Sequence, residues 1–97
     1  MPGRRFFFVY ILSNRGRRLL YTGVTRNLRL RVAKHRAGIG SHFTRCYRVW
    51  HLVCFEVHES PVSAITREKQ IKAGSRRQKI ALIATVNPEW RDLWFEL

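Results

Sequence analysis

The run FFFVYIL, residues 6–12, constrains the fold more than any other stretch. It is β-branched, aromatic and apolar, which reads as a buried strand. The polar stretch SNRGRR follows, with Gly16 available for positive φ. LLYTG, residues 19–23, makes a second strand. A connection this short implies an antiparallel hairpin.

The rest of the chain must cover that hairpin. A helix is expected from about residue 26 to 37, with Thr25 as N-cap and Gly38 and Gly40 ending it. SHFTRCYR reads as a polar and aromatic loop, and VWHLVCFEV, residues 49–57, as a third strand. Ser60 caps a second helix with Pro61 at its first position, and that helix ends near Gly74. Ser75 and Gln78 fit a capping box for a third helix, 76–85. Asn87-Pro88 opens a last short turn or helix. The expected fold class is α/β (α+β): a three-stranded antiparallel sheet flanked by helices, in the order ββαβαα. With 97 residues the chain reads as a single domain, 1–97, able to bury about two thirds of its unfolded surface.

Charge narrows the function. Lys and Arg number 19 against 6 Asp and Glu, a net charge of +13 spread along the whole chain. Such a surface suits a polyanion, and nucleic acid above all. The apolar share of 45% argues against disorder. Two cysteines make no disulfide framework and point to a reducing cytoplasm. The opening MPGRRFFFVYIL shows no cleavage site, and no apolar run reaches the roughly 18 residues of a membrane span. No membrane partner is expected, and the protein reads as cytoplasmic. Cys46, His51, Cys54 and His58 match no common zinc spacing, and an odd separation puts His51 and Cys54 on opposite strand faces.

On the first helix Arg31 and His35 fall about 40° apart at 100° per residue, on a stripe bordering the buried edge. Spacing alone equally fits an Arg31 stem lying over the core beside a half-buried His35. On the second helix Glu68 sits inside the apolar stripe of Ala64, Ile65 and Ile71. A carboxylate there needs a partner: either Lys72, one turn on, or a cation such as Mg2+. Tyr10 and Tyr21 lie on adjacent strands, where β-propensity explains them as well as chemistry does. Asn87 before Pro88 reads equally as a helix cap.

Together these residues resemble the GIY-YIG nuclease domain. FVY (8–10) matches the first family motif with Tyr10 at its tyrosine, and YTG (21–23) the second. TRNLRLRVAKH is similar to the family helix with Arg31 and His35. REKQIK, 67–72, resembles the segment with the metal-binding glutamate, here Glu68, and NPEW, 87–90, the segment with a late asparagine. The likeness runs over roughly residues 6 to 93, in family order. GSHFTRCY and REKQIK resemble the small stand-alone bacterial members. Phe8-Val9 stands where the family name has Gly-Ile, and Thr22 where it has Ile.

The resemblance implies a DNA endonuclease with one divalent metal ion, Mg2+ or Mn2+. Glu68 would hold the ion and Arg31 would grip the phosphate. Tyr10 would orient or deprotonate the attacking water, with Arg31 and the net positive field lowering its pKa. Tyr21 and His35 would support water or phosphate by hydrogen bonds, and Gly23 and Asn87 would lie behind them. Arg26, Lys34, His42, Thr44, Arg45, Tyr47, Lys69 and Lys72 are expected to contact nucleic acid. Phosphate contacts dominate such a surface, so branched or nicked DNA in repair or recombination is expected rather than a base sequence. A protein partner could supply specificity, the chain acting as monomer or weak dimer near the nucleoid. A binding module of the same fold with little or no catalysis, and a basic protein-interaction factor, are the alternatives. Trp90, Trp94 and Phe95 are expected to seal the core at the C-terminus rather than stack on bases.

Overall fold

A computed structural model describes residues 5–97. The expected domain start and the reading of the opening residues thus lie partly outside the described residues. Strands β1 (Phe7–Ser13), β2 (Leu20–Thr25) and β3 (His51–His58) form one antiparallel sheet in the order β2-β1-β3. Helices are α1 (Leu28–Arg36), α2 (His42–Tyr47), α3 (Pro61–Ala73) and α4 (Arg76–Val86), followed by a 3-10 turn at Leu93–Glu96.

β1 is the central strand, and both its faces are covered. Val9 and Ile11 point to the layer of α3 and α4, where they meet Ala64, Ile71 and Ile83. Tyr10 and Leu12 point the other way, into a cluster with Leu28, Val32, Val49 and Leu52. That double burial is why the run is apolar without alternation. Each such side chain contributes about 1.5–3 kcal/mol when fully buried. Trp94 and Leu93 pack on the second cluster and Trp90 on the first, as a C-terminal seal would, while Phe95 stays exposed beneath the Arg36 guanidinium.

The register places Tyr10 opposite Gly23 on β2 and opposite Phe55 on β3. Paired residues project to the same side of a sheet. The Tyr10 ring therefore crosses β2 only where Gly23 offers no side chain. A bulge between Ile11 and Leu12 shifts the register against β3.

Three local expectations change. The stretch 42–47 is a helix, so the order is ββααβαα. Ser41 caps it, its hydroxyl accepting from the Thr44 amide, and Arg48 closes it in the left-handed region (φ 54°). Asn27, not Thr25, caps α1, accepting from the Leu30 amide; Thr25 Oγ1 instead accepts from the Asn27 amide. In the hairpin loop the left-handed residue is Arg17 (φ 59°), not Gly16. The Ser60 cap with Pro61, and the reciprocal Ser75–Gln78 box, form as expected.

Candidate active site

Five of the expected residues converge at the free edge of β2. Tyr10 comes from β1, Tyr21 from β2, Arg31 and His35 from α1, and Glu68 from α3. Ring centroids are 6.4 Å apart for Tyr10–Tyr21, 5.9 Å for Tyr10–His35 and 5.4 Å for Tyr21–His35. Arg31 and Glu68 both lie close enough to act on the Tyr10 hydroxyl through their charges.

The site has two layers. Tyr10 and His35 are each 1% exposed and lie beneath, while Tyr21 is half-buried and Arg31 is exposed. The shared stripe of Arg31 and His35 thus splits: His35 turns into the core and Arg31 out. Arg26, Arg31 and Lys34 line one hollow of about 420 Å³ beside the site, with no acidic side chain among its lining residues.

A hydrogen-bond chain runs through the lower layer. Tyr10 Oη is 3.1 Å from His35 Nε2, and His35 Nδ1 is 2.9 Å from Thr44 Oγ1. The Thr44 hydroxyl donates to the Ser41 carbonyl at 3.0 Å, because a carbonyl can only accept. Thr44 Oγ1 must then accept from His35 Nδ1–H, which leaves Nε2 to accept from the Tyr10 hydroxyl. Thr44 is fully buried, so it is no contact for nucleic acid, as its polarity had suggested; it orients His35. Gly40 belongs to the same arrangement, since a Cβ there would collide with His35 Nδ1. The only trace of this in the sequence is the Ser-x-x-Thr spacing of the α2 cap.

Charge behaves differently from expectation at Tyr10. Arg31 does favour the phenolate, but burial raises the phenol far more, and the neighbouring Tyr21 adds to it. Tyr10 is held well above its ordinary value, so a free phenolate does not form at neutral pH. Burial, then the Arg31 charge, lowers His35 below the ordinary imidazole range. Both groups rest neutral.

His35 gives a sign to the pH dependence of stability. The unfolded chain takes up a proton at this imidazole near pH 6.5, and the folded protein resists it. Its contribution is complete above about pH 6.5 and is lost as pH falls toward the lower folded value. The melting temperature is expected to drop more steeply from about pH 7 to about pH 5 in the wild type than in His35→Gln. Parallel curves for the two proteins would remove His35 as the cause.

Glu68 keeps both of its expected roles open. Its side chain is 12% exposed and pairs with Lys72 Nζ at 2.6 Å, Lys72 being 52% exposed. The ammonium stands where the carboxylate wants positive charge, at the solvent side. Among the described residues no group of three His, Cys, Asp or Glu converges. One carboxylate with phosphate oxygens and waters is a donor set that fits Mg2+ or Mn2+, so Glu68 fits a single ion.

Asn87 directs its amide elsewhere. Nδ2 donates to the Val53 and Arg91 carbonyls at 3.0 and 2.8 Å, and Oδ1 accepts from the Arg91 amide. It ties the end of α4 to β3. His42, Arg45 and Tyr47 lie exposed on α2, and Lys69 on α3. Arg45 Nη2 sits 3.3 Å from His42 Nδ1, and Arg26 lies over the Phe7 ring.

The chain is similar to known proteins in sequence and fold. The family model described as the GIY-YIG catalytic domain matches residues 6–81, stopping short of Asn87. The UPF0213 protein of Staphylococcus aureus (strain Mu3) is 40% identical over 76 residues, covering 78% of this chain and 92% of that protein. The UPF0213 protein SH2523 of Staphylococcus haemolyticus is 41% identical over the same length. The solution NMR structure of the UPF0213 protein BH0048 from Bacillus halodurans is 30% identical, with a TM-score of 0.58 over 90% of this chain and 92% of that one. The chain belongs to the GIY-YIG family of nucleases, and within it resembles the small UPF0213 proteins.

Proposed function

We propose that the protein is a divalent-metal-dependent DNA endonuclease, selective for the structure of its substrate rather than its sequence. The carrying observation is the Tyr10–His35–Thr44 hydrogen-bond chain, with the Tyr21 ring against Tyr10 and His35 and with Arg31 and Glu68 near enough to act on Tyr10 through their charges. Glu68 would hold the ion, Mg2+ or Mn2+, whose chemistry is Lewis-acid stabilisation of charge on the phosphate oxygens.

The chain's own groups do the rest. Arg31, exposed and unable to lose its charge, grips a phosphate oxygen pair with its planar fork. Tyr21, half-buried, would offer its hydroxyl as a donor to the same phosphate or to the attacking water. The raised Tyr10 phenol is a poor base by itself, but it already donates to His35 Nε2. A water admitted against Tyr10 can pass a proton to its oxygen as Tyr10 passes its own to His35. No free phenolate forms in that relay; the cost of burial falls instead on the imidazolium that His35 becomes. Thr44 keeps Nδ1 protonated and Nε2 ready. The cations around the cleft supply phosphate contacts that carry no base information. Branched or nicked DNA in repair or recombination, in the cytoplasm at the nucleoid, fits that recognition. Among the described residues no helix is long and apolar enough to cross a membrane.

The Glu68–Lys72 pair favours a second reading, a module that binds DNA and does not cut it. Labelled branched, nicked and linear DNA, incubated with Mg2+ or Mn2+ and then with EDTA, separates the two. The endonuclease cuts branched or nicked DNA first and stops in EDTA. Tight binding with no cutting under either condition would leave the module.

A further inference from the structure

We infer that the surface from Tyr21 to Trp50 is a stacking track for an unpaired DNA strand leading out of the cleft. The inference rests on the nuclease reading for its direction and deepens it by naming the substrate class: DNA with a single-stranded arm.

The track begins at the site itself. Tyr21 and Phe43 stack at 22° with centroids 6.3 Å apart, and Phe43 meets Tyr47 at 5.1 Å, one turn further along α2. Phe43, Tyr21 and Lys72 line a hollow of about 300 Å³ on the cleft side. Tyr47, Arg15, Arg48 and Trp50 line a second, of about 490 Å³, on the far side. The aromatic ladder thus joins two hollows, each carrying cations and no carboxylate.

Duplex DNA cannot use such a surface, because its base faces are already stacked. An unpaired strand can: every base has a π-face for a ring, and its phosphates follow the cations. Tyr47 is 56% exposed, more than core packing asks of an aromatic on a six-residue helix. Arg48 adds a second, independent sign. It takes the left-handed conformation (φ 54°, ψ 48°), a position that glycine fills without strain. The chain keeps a guanidinium there, at the mouth of the outer hollow. Arg17 takes the same conformation in the hairpin loop, so what singles out Arg48 is its charge among the residues lining the outer hollow.

Fluorescence anisotropy in EDTA tests this without any cutting. The probes are a labelled oligothymidylate of about twelve nucleotides, a blunt hairpin duplex and a single-stranded oligouridylate, at one fixed salt concentration. The single DNA strand is expected to bind at least about tenfold more tightly than the hairpin. Tyr47→Ala should weaken strand binding about tenfold, or about 1.4 kcal/mol, and leave hairpin binding unchanged. Tyr47→Phe should retain it. Arg48→Gly should weaken strand binding several-fold with an unchanged or higher melting temperature, since the backbone strain goes with the charge. Equal affinity for strand and hairpin, or strand binding indifferent to Tyr47→Ala, overturns the track; tighter binding of the RNA overturns its assignment to DNA. A protein that cuts DNA but ignores Tyr47→Ala keeps the nuclease and loses the track, and one that never cuts but shows these shifts does the reverse.

Discussion

Glu68→Gln is expected to leave a folded protein that binds DNA and no longer cuts it. Glutamine keeps the shape of the side chain and removes the charge that would hold a divalent ion. Lewis-acid stabilisation of a phosphoryl transition state is worth several kcal/mol, and each 1.36 kcal/mol is tenfold in rate. A fall of about a thousandfold or more in the single-turnover rate follows. The cost to stability is small by comparison. The pair with Lys72 spans one helical turn and its cation is half in solvent, so its loss is worth less than about 1 kcal/mol. The readout is therefore a contrast: cleavage collapses while the melting curve and EDTA binding stay near wild type. A Glu68→Gln protein that cuts at the wild-type rate would take the metal away from this residue.

How much of this was legible in the sequence varies from residue to residue. Glu68 was, because a carboxylate in an apolar stripe stands out at helical spacing. The hairpin was, because a six-residue polar break between two apolar runs leaves few alternatives. Arg31 and His35 were legible as neighbours but not as opposites. A small difference of angle at the edge of a stripe decides between core and solvent, and only packing resolves it. Helix α2 was hidden, being six residues long with no apolar period. With it went Thr44, whose hydroxyl looked like a surface group until burial turned it inward. The direction of the Tyr10 pKa was missed for a related reason. Counting charges shows Arg31, but desolvation depends on what covers the ring, and that is tertiary.

Gly23 shows the same dependence on register, and it carries the sharpest steric prediction. Gly23→Ala is expected to cost both stability and activity. An added Cβ would overlap Tyr10 Oη and Cζ and stand 2.9 Å from Cε1. The ring has nowhere to retreat: Tyr10 is 1% exposed and is held by His35 at its hydroxyl. Two terms oppose each other. Gly23 is not in the left-handed region, so alanine gains about 0.5–1 kcal/mol of strand preference. Overpacking costs about 1–3 kcal/mol, and a Tyr10 pushed off His35 leaves a buried acceptor unpaired for about 1–3 kcal/mol more. The losses win, and each net kcal/mol lowers the melting temperature by about 4–8 °C in a domain of this size. Cleavage should fall about a hundredfold, because a shift of about 1 Å at a reacting group suffices for that. Gly16→Ala is the control: its Cβ would meet only Asn14 Nδ2, at 3.9 Å, and neither melting nor cleavage should move. If Gly23→Ala melts and cuts like Gly16→Ala, then the Tyr10 ring does not cross β2 at Gly23, and the water-to-Tyr10-to-His35 relay loses the geometry it depends on.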